Sequence, residues 1–235
     1  HGDKIFAVNR NKTVILAVIG RIPVEQGFNI IGAHIDSPRL DLKPQPLYEE
    51  EGLALFKTHY YGGIKKYQWL AVPLALHGVV VKNTVVGESP DDPVFTVTDL
   101  LPHLAKDQMD KKMADAVPGE NLNILAGGIP LAGEELKNRF KLAVLERLNR
   151  VYNITEEDLI SSELELVPAW SARDIGFDRS FVGGYGQDDR VCAYASLRAA
   201  VETPAPERTA VTILADKEEI GSDGNTGMGA AFFKN

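Results

Sequence analysis

The sequence predicts an α/β protein whose main unit is interrupted by a block of mostly β character. Three observations carry this reading. Two apolar, β-type runs, residues 28–33 and 211–215, each stop just before side chains with metal-ligand chemistry: His34 and Asp36 after the first, Glu218 and Glu219 after the second. Residues 188–201 carry a helical pattern that opens on Asp188 and Asp189. Residues 57–167 are instead dominated by short β-rich segments punctuated by Gly and Pro. Residues 1–56 and 168–235 are therefore expected to form one α/β unit, with 57–167 inserted between them. Strands that stop at a His or an acidic pair place those groups at the rim of a sheet, where open α/β sheets build their sites.

Residues 5–17 are rich in β-branched side chains and are broken by the polar residues 9–12, the pattern of a hairpin. Residues 28–33 follow Gly27 and read as a short buried strand. The prolines of 38–46 demand an extended path. Tyr60, Tyr61, Gly62 and Gly63 are expected to turn, residues 69–86 to be β-rich, Pro90, Asp91, Asp92 and Pro93 to turn again, and 94–97 to form a strand. Residues 109–119 show no firm pattern.

Residues 133–151 are the clearest helix, with Leu136, Phe140, Val144, Leu148 and Val151 at helical spacing. Thr155 opens a second helix, with Asp158 placed for a capping box. Residues 164–167 return as a strand. In the helix over 188–201, Val191, Ala195, Arg198 and Ala199 share one side. The last strand is 211–215.

Composition narrows the function. The chain has 235 residues, 44% of them hydrophobic, enough for one large or two modest cores. Lys and Arg number 25 against 33 Asp and Glu, a formal charge of −8, and no basic stripe runs along the chain, which argues against nucleic acid as a partner. No apolar run approaches the ~20 residues that span a bilayer, and no signal-peptide pattern opens the chain, so no membrane partner is expected. Cys192 is the single cysteine, which excludes an intrachain disulfide and favours a reducing, cytoplasmic setting, where the acceptor-type triplets at 11–13 and 153–155 carry no meaning. The absence of an initial Met, and the end of the chain soon after Glu219, suggest a piece of a longer protein.

Each of the three acidic or imidazole segments has a bland reading beside the chemical one. His34 can ligate a metal while Asp36 accepts the other ring N–H, or it can be a rim histidine paired with a surface Asp. Asp188 and Asp189 can simply favour the positive end of a helix; alternatively Asp188 lies between two metals, with Arg190 offsetting the crowded charge or anchoring Asp189. Glu218 and Glu219 can be a solvated acidic loop, or one can bind metal while its neighbour serves as general base. Gly221, Gly224, Gly227 and Gly229 lack the spacing of a nucleotide-binding fingerprint.

Together these segments carry a specific resemblance. The text HGDKIFAVNR, GAHIDSPRLDLKPQPL, FKTHYYGGIKKYQWL, VFTVTDLLPHLAK, GENLNILAGGIPL, GGYGQDDRVCAYASLRA and DKEEIGSDGNTG covers nearly the whole chain. It is similar to the M18 metalloaminopeptidases, the aspartyl aminopeptidase family, and to their bacterial branch in particular. The resemblance implies a mixed-sheet catalytic domain of the zinc-exopeptidase type, interrupted by a mostly β inserted dimerisation domain over 57–167. It implies that His34 ligates one metal, Asp188 bridges both, Glu219 ligates the other, Glu218 is the general base and Asp36 supports His34. It also suggests that His103 reaches a partner subunit's site, against the alternative that it packs after Pro102.

The implied cofactors are two divalent ions, zinc first, with cobalt and manganese also compatible with the donors. The implied substrates are peptides with a free N-terminus, attacked by a hydroxide held between the ions. The implied assembly is a homo-oligomer built from dimers. Members of the family carry a further Asp ligand and a terminal His ligand beyond the point where this chain ends, and an N-terminal helical segment before it begins. His1, His59, His77 and His103 lie outside any matching ligand segment, so the resemblance implies an incomplete ligand set in these 235 residues. A non-catalytic assembly module remains the competing reading. A related exopeptidase or deacylase fits the ligands but not the long insertion.

Overall fold

The hairpin written into the first residues forms as strands β1 (Lys4–Asn9) and β2 (Thr13–Val18), paired antiparallel from Lys4 opposite Val18 to Asn9 opposite Thr13. Its turn places Arg10 and Asn11 at φ 52° and 56°, and the Lys12 N–H donates to the Asn9 carbonyl at 3.0 Å. Two successive left-handed residues give the turn hand that matches strand twist. The structure, a computed structural model, describes residues 1–80 and 82–233. After β3 (Asn29–His34) the chain leaves this unit. Two compact units result: His1–Pro38 with Arg173–Asn235, and Arg39–Ala172 between them. The first boundary falls at Pro38 rather than near residue 56, because the proline-bearing stretch that follows is itself a strand of the other unit's sheet.

In the unit Arg39–Ala172 the strands are β4 (Arg39–Glu50), β5 (Leu53–Tyr61), β6 (Leu74–Val80), β7 (Lys82–Val86) and β8 (Thr96–Val97). The four-residue helix α1 (Lys106–Met109) precedes β9 (Ile124–Gly127). Helices α2 (Arg139–Tyr152) and α3 (Glu156–Ile160) come next, and β10 (Glu163–Pro168) closes the unit. The strands form one sheet in the order β7-β6-β10-β4-β5-β9-β8, each neighbour antiparallel.

Glu51 and Gly52, both with positive φ, make the tight turn between β4 and β5. The ladder between those strands slips between Leu42 and Leu47, where Pro44 and Pro46 have no N–H to give. Leu40, Leu74, Leu122, Ile124 and Leu166 are fully buried and form the core. Buried Arg39 lies 3.8 Å from the Tyr61 ring centre and pairs with Asp41 at 2.7 Å and Glu165 at 3.3 Å, which ties β4, β5 and β10 together.

Several local expectations shift in this unit. Tyr60 and Tyr61 finish β5 rather than turning. The strand expected over 94–97 is reduced to Thr96 and Val97. The clearest helix begins at Arg139, not at residue 133, because Asn138 takes a left-handed conformation and stops the pattern from extending backwards. Leu136 and Val151 are exposed. The free N–H groups of Phe140 and Lys141 donate to one Glu49 carboxylate oxygen at 2.7 and 3.0 Å, so β4 supplies the cap. At α3 the capping box forms as expected: Asp158 accepts the Thr155 N–H at 2.7 Å, and the Thr155 hydroxyl accepts the Asp158 N–H.

Back in the first unit, β11 (Arg173–Ile175) and β12 (Phe181–Gly183) pair with each other. Helix α4 (Gln187–Glu202) and strand β13 (Ala210–Ala215) follow. The sheet order is β1-β2-β13-β3, with β13 antiparallel to β2 and parallel to β3, a mixed sheet. Helix α4 packs on β3, β13 and β2. It does so through Asp189, Ser196 and Ala200, while Val191, Ala195, Arg198 and Ala199 are exposed. The face of the helix that is buried is therefore not the one the sequence pattern marks. Strand β3 is not buried: Ile30 is 57% and Ile31 47% exposed, because β3 forms the edge of the sheet among the described residues. No helix among the described residues is long and apolar enough to cross a membrane.

Candidate metal centre

The site begins with a register. Strands β3 and β13 run parallel with His34 opposite Ala215, and the Ile35 N–H donates to the Ala215 carbonyl at 2.9 Å. The two strands therefore end side by side, at the rim where α/β sheets expose chemistry. Beyond Ala215, Lys217 at φ 69° bends the chain into a 3-10 turn, Glu218–Ile220, which Gly221 closes at φ 81°. A lysine in the left-handed region is a strained position held by its surroundings. Helix α4 opens after Gly186 at φ 70°, with Asp188 and Asp189 in its first turn.

These elements bring three of the expected residues together. His34 Nε2 lies 3.7 Å from Asp188 Oδ2. One ligand atom each from His34, Asp188 and Glu219 lies within 4.8 Å of the others. An imidazole nitrogen with two carboxylate oxygens is a zinc donor set. Burial alone would lower the His34 pKa. The Asp36 carbonyl and the charges of Asp36, Glu218 and Asp188 outweigh it and hold the imidazole above its ordinary 6.5. An anionic setting that attracts a proton also attracts a metal cation. Glu218 is exposed, and its charge is among those felt at His34.

Asp36 works differently from the sequence expectation. Its carboxylate stands 3.9 Å from His34 Nδ1, and its backbone carbonyl accepts from that nitrogen instead, at 3.0 Å. A carbonyl can only accept, so Nδ1 carries a proton, and Nε2 is the nitrogen that faces Asp188. The buried carboxylate accepts the Glu218 N–H at 3.1 Å and the Glu219 N–H at 3.2 Å. It thus fixes the backbone of the Glu pair. Arg190 does not anchor Asp189: its guanidinium donates to the Tyr185 carbonyl, and buried Asp189 accepts from Ser37 Oγ at 2.8 Å. His103 belongs to the unit Arg39–Ala172, where it is exposed in a turn beside Pro102 rather than packed.

Other contributors carried no sequence signal. Buried Thr13, at the start of β2, accepts the Asp216 N–H at 2.9 Å and donates to the Thr226 carbonyl at 2.6 Å. The Thr226 hydroxyl donates to the Asp216 carboxylate, and Asn9 donates to the Asn225 carbonyl at 3.0 Å. The loop that carries the Glu pair is thereby stitched to the first hairpin. A Cβ at Gly227 would meet the Ser222 carbonyl oxygen at 2.4 Å, so this loop requires glycine there.

A family model described as "Aminopeptidase I zinc metalloprotease (M18)" matches residues 1–235. A Clostridium acetobutylicum protein named probable M18 family aminopeptidase 1 is 56% identical over 240 residues, covering 100% of this chain and 52% of its own length. The crystal structure of aminopeptidase I from Clostridium acetobutylicum aligns over 100% of this chain and 53% of its own, with TM-score 0.91 and 54% identity. That of an M18 aminopeptidase from Thermotoga maritima covers 97% of this chain and 51% of its own, with TM-score 0.89 and 52% identity. The chain spans about half the length of the curated relatives it matches.

Proposed function

The chain belongs to the M18 zinc metalloprotease family, and we propose that the protein is a metal-dependent aminopeptidase acting on peptides with a free N-terminal amine. The observation that carries this reading is the convergence of His34, Asp188 and Glu219 at the paired ends of β3 and β13. In this reading His34 would hold one divalent ion, Glu219 would hold a second, and Asp188 would serve as a ligand to both. Zinc is the first candidate, and cobalt or manganese would suit the same donors. Ions held there would supply Lewis acidity for the scissile carbonyl and for an attacking water.

The protein's own groups do the rest. Glu218 takes the proton of the attacking water and passes it to the departing amine. Asp36 holds the two Glu backbones so that Glu218 and Glu219 point to different tasks. His34, protonated on Nδ1, presents Nε2. The unit Arg39–Ala172 serves self-association into dimers and larger homo-oligomers. Exposed Leu100, Leu101, Leu104, Met109 and Met113, in the same stretch as His103, support that role and leave His103 available to a neighbouring subunit. The single cysteine supports a reducing, cytoplasmic setting.

Glu218→Gln tests the chemistry. Metal content should be kept, and turnover of an N-terminally free peptide should fall by about 10²- to 10⁴-fold. Near-normal turnover would remove Glu218 from the base role. Because the chain spans about half of its curated relatives, a non-catalytic assembly role is the competitor. Metal content and turnover of the 235-residue chain, measured beside its oligomeric state, decide between the two.

A further inference from the structure

We propose that Ser37 is a positioning residue that sets where Asp188 meets His34, acting through the buried carboxylate of Asp189. The inference rests on the metal-centre reading above and assigns a new residue to it. Asp188 is in a weak position to place itself: its side chain is 89% exposed, and among the described residues its ion-pair contact is His34. Its location is inherited from the first turn of α4.

That turn is held from outside by two consecutive residues of the β3–β4 connection. Ser37 Oγ donates to Asp189 Oδ2 at 2.8 Å, across 152 positions of sequence. The Tyr185 hydroxyl donates to the Pro38 carbonyl at 2.6 Å. The Arg190 guanidinium then closes the entry by donating to the Tyr185 carbonyl. Asp189 is only 5% exposed, and a buried carboxylate held by a hydroxyl is costly to leave unpaired, so this contact is a strong constraint. With Asp36 holding Glu218 and Glu219, the consecutive residues Asp36, Ser37 and Pro38 reach all the ligand-bearing segments. Outer-shell partners that bond a ligand directly typically govern 10- to 100-fold in metal affinity, which sets the upper range for a contact made through the neighbouring residue.

The test uses Ser37→Ala and Ser37→Thr in the whole protein, with Co²⁺ as the probe. Ser37→Ala should raise the Co²⁺ dissociation constant by up to about 10- to 100-fold, shift the visible cobalt bands, and lower kcat while KM stays within about twofold. Ser37→Thr, which keeps the hydroxyl, should restore all three. Wild-type cobalt affinity and spectrum in Ser37→Ala, or a threonine variant no better than the alanine one, would overturn the proposal. If the unsubstituted protein takes up neither Co²⁺ nor Zn²⁺, the metal-centre reading itself fails. The link from Ser37 to the helix start is then judged in the metal-free protein, by amide exchange at Arg190, whose N–H donates to the Gly186 carbonyl. Faster exchange in Ser37→Ala upholds the link, and unchanged exchange overturns it.

Discussion

A carboxylate two residues after a histidine invites the assumption that the two side chains touch, and Asp36 shows why that shortcut fails. The chain leaves β3 at His34, so the Asp36 carbonyl meets the ring at Nδ1 while its carboxylate is directed to backbone N–H groups 182 and 183 positions away. Sequence reading found the groups that converge, His34, Asp188 and Glu219, because their side-chain types and their places at a strand end or a helix start are local signals. It did not find Ser37, Thr13 or Thr226, whose importance exists only once distant segments meet. At this scale the sharpest expectation concerns Asp188. Asp188→Ala should lower the bound divalent metal per protein, read by elemental analysis after dialysis, whereas Glu218→Gln should not. Equal metal content in both variants would contradict a shared-ligand role for Asp188.

Among elements, what could be read locally was read well. The first hairpin and the α3 capping box need only near neighbours, and both form as expected. The start of α2 and the buried face of α4 depend on what each helix meets, Glu49 in one case and the small-residue contact with the sheet in the other. Strand β3 was expected to be buried from its composition, yet burial is set by its place at the sheet edge. The capping box carries a pH prediction. The Thr155 N–H, and then its hydroxyl, hold the Asp158 carboxyl below its ordinary 3.8. A depressed carboxylate stabilises the fold above its ordinary pKa, and that contribution fades as pH falls through the lower, folded-state value. Thr155→Ala should therefore lower stability at neutral pH. The difference from wild type should shrink below about pH 4 in urea melts followed by circular dichroism. A pH-independent difference would show that the Thr155 hydroxyl does not act through the Asp158 charge.

At the scale of the molecule, the boundary at Pro38 rather than near residue 56 follows from β4 pairing inside the seven-stranded sheet. Hydrophobic periodicity marks a strand but not the sheet it joins, so the proline-bearing stretch was assigned to the wrong unit. The unit Arg39–Ala172 is continuous in sequence and has its own core of Leu40, Leu74, Leu122, Ile124 and Leu166. Expressed alone, residues 39–172 should fold cooperatively with a β-rich circular dichroism spectrum and a single urea transition. A broad, non-cooperative transition would show that this unit depends on the rest of the chain. The other unit has a different fate at birth. Strand β13 sits between β2 and β3, yet it emerges from the ribosome long after them, since β3 ends at His34 and β13 starts at Ala210. At roughly 5–20 residues per second, translation leaves that central gap open for about ten to thirty-five seconds. During this interval β2 and β3 both lack the neighbour that joins them, so this sheet closes only when its middle strand arrives.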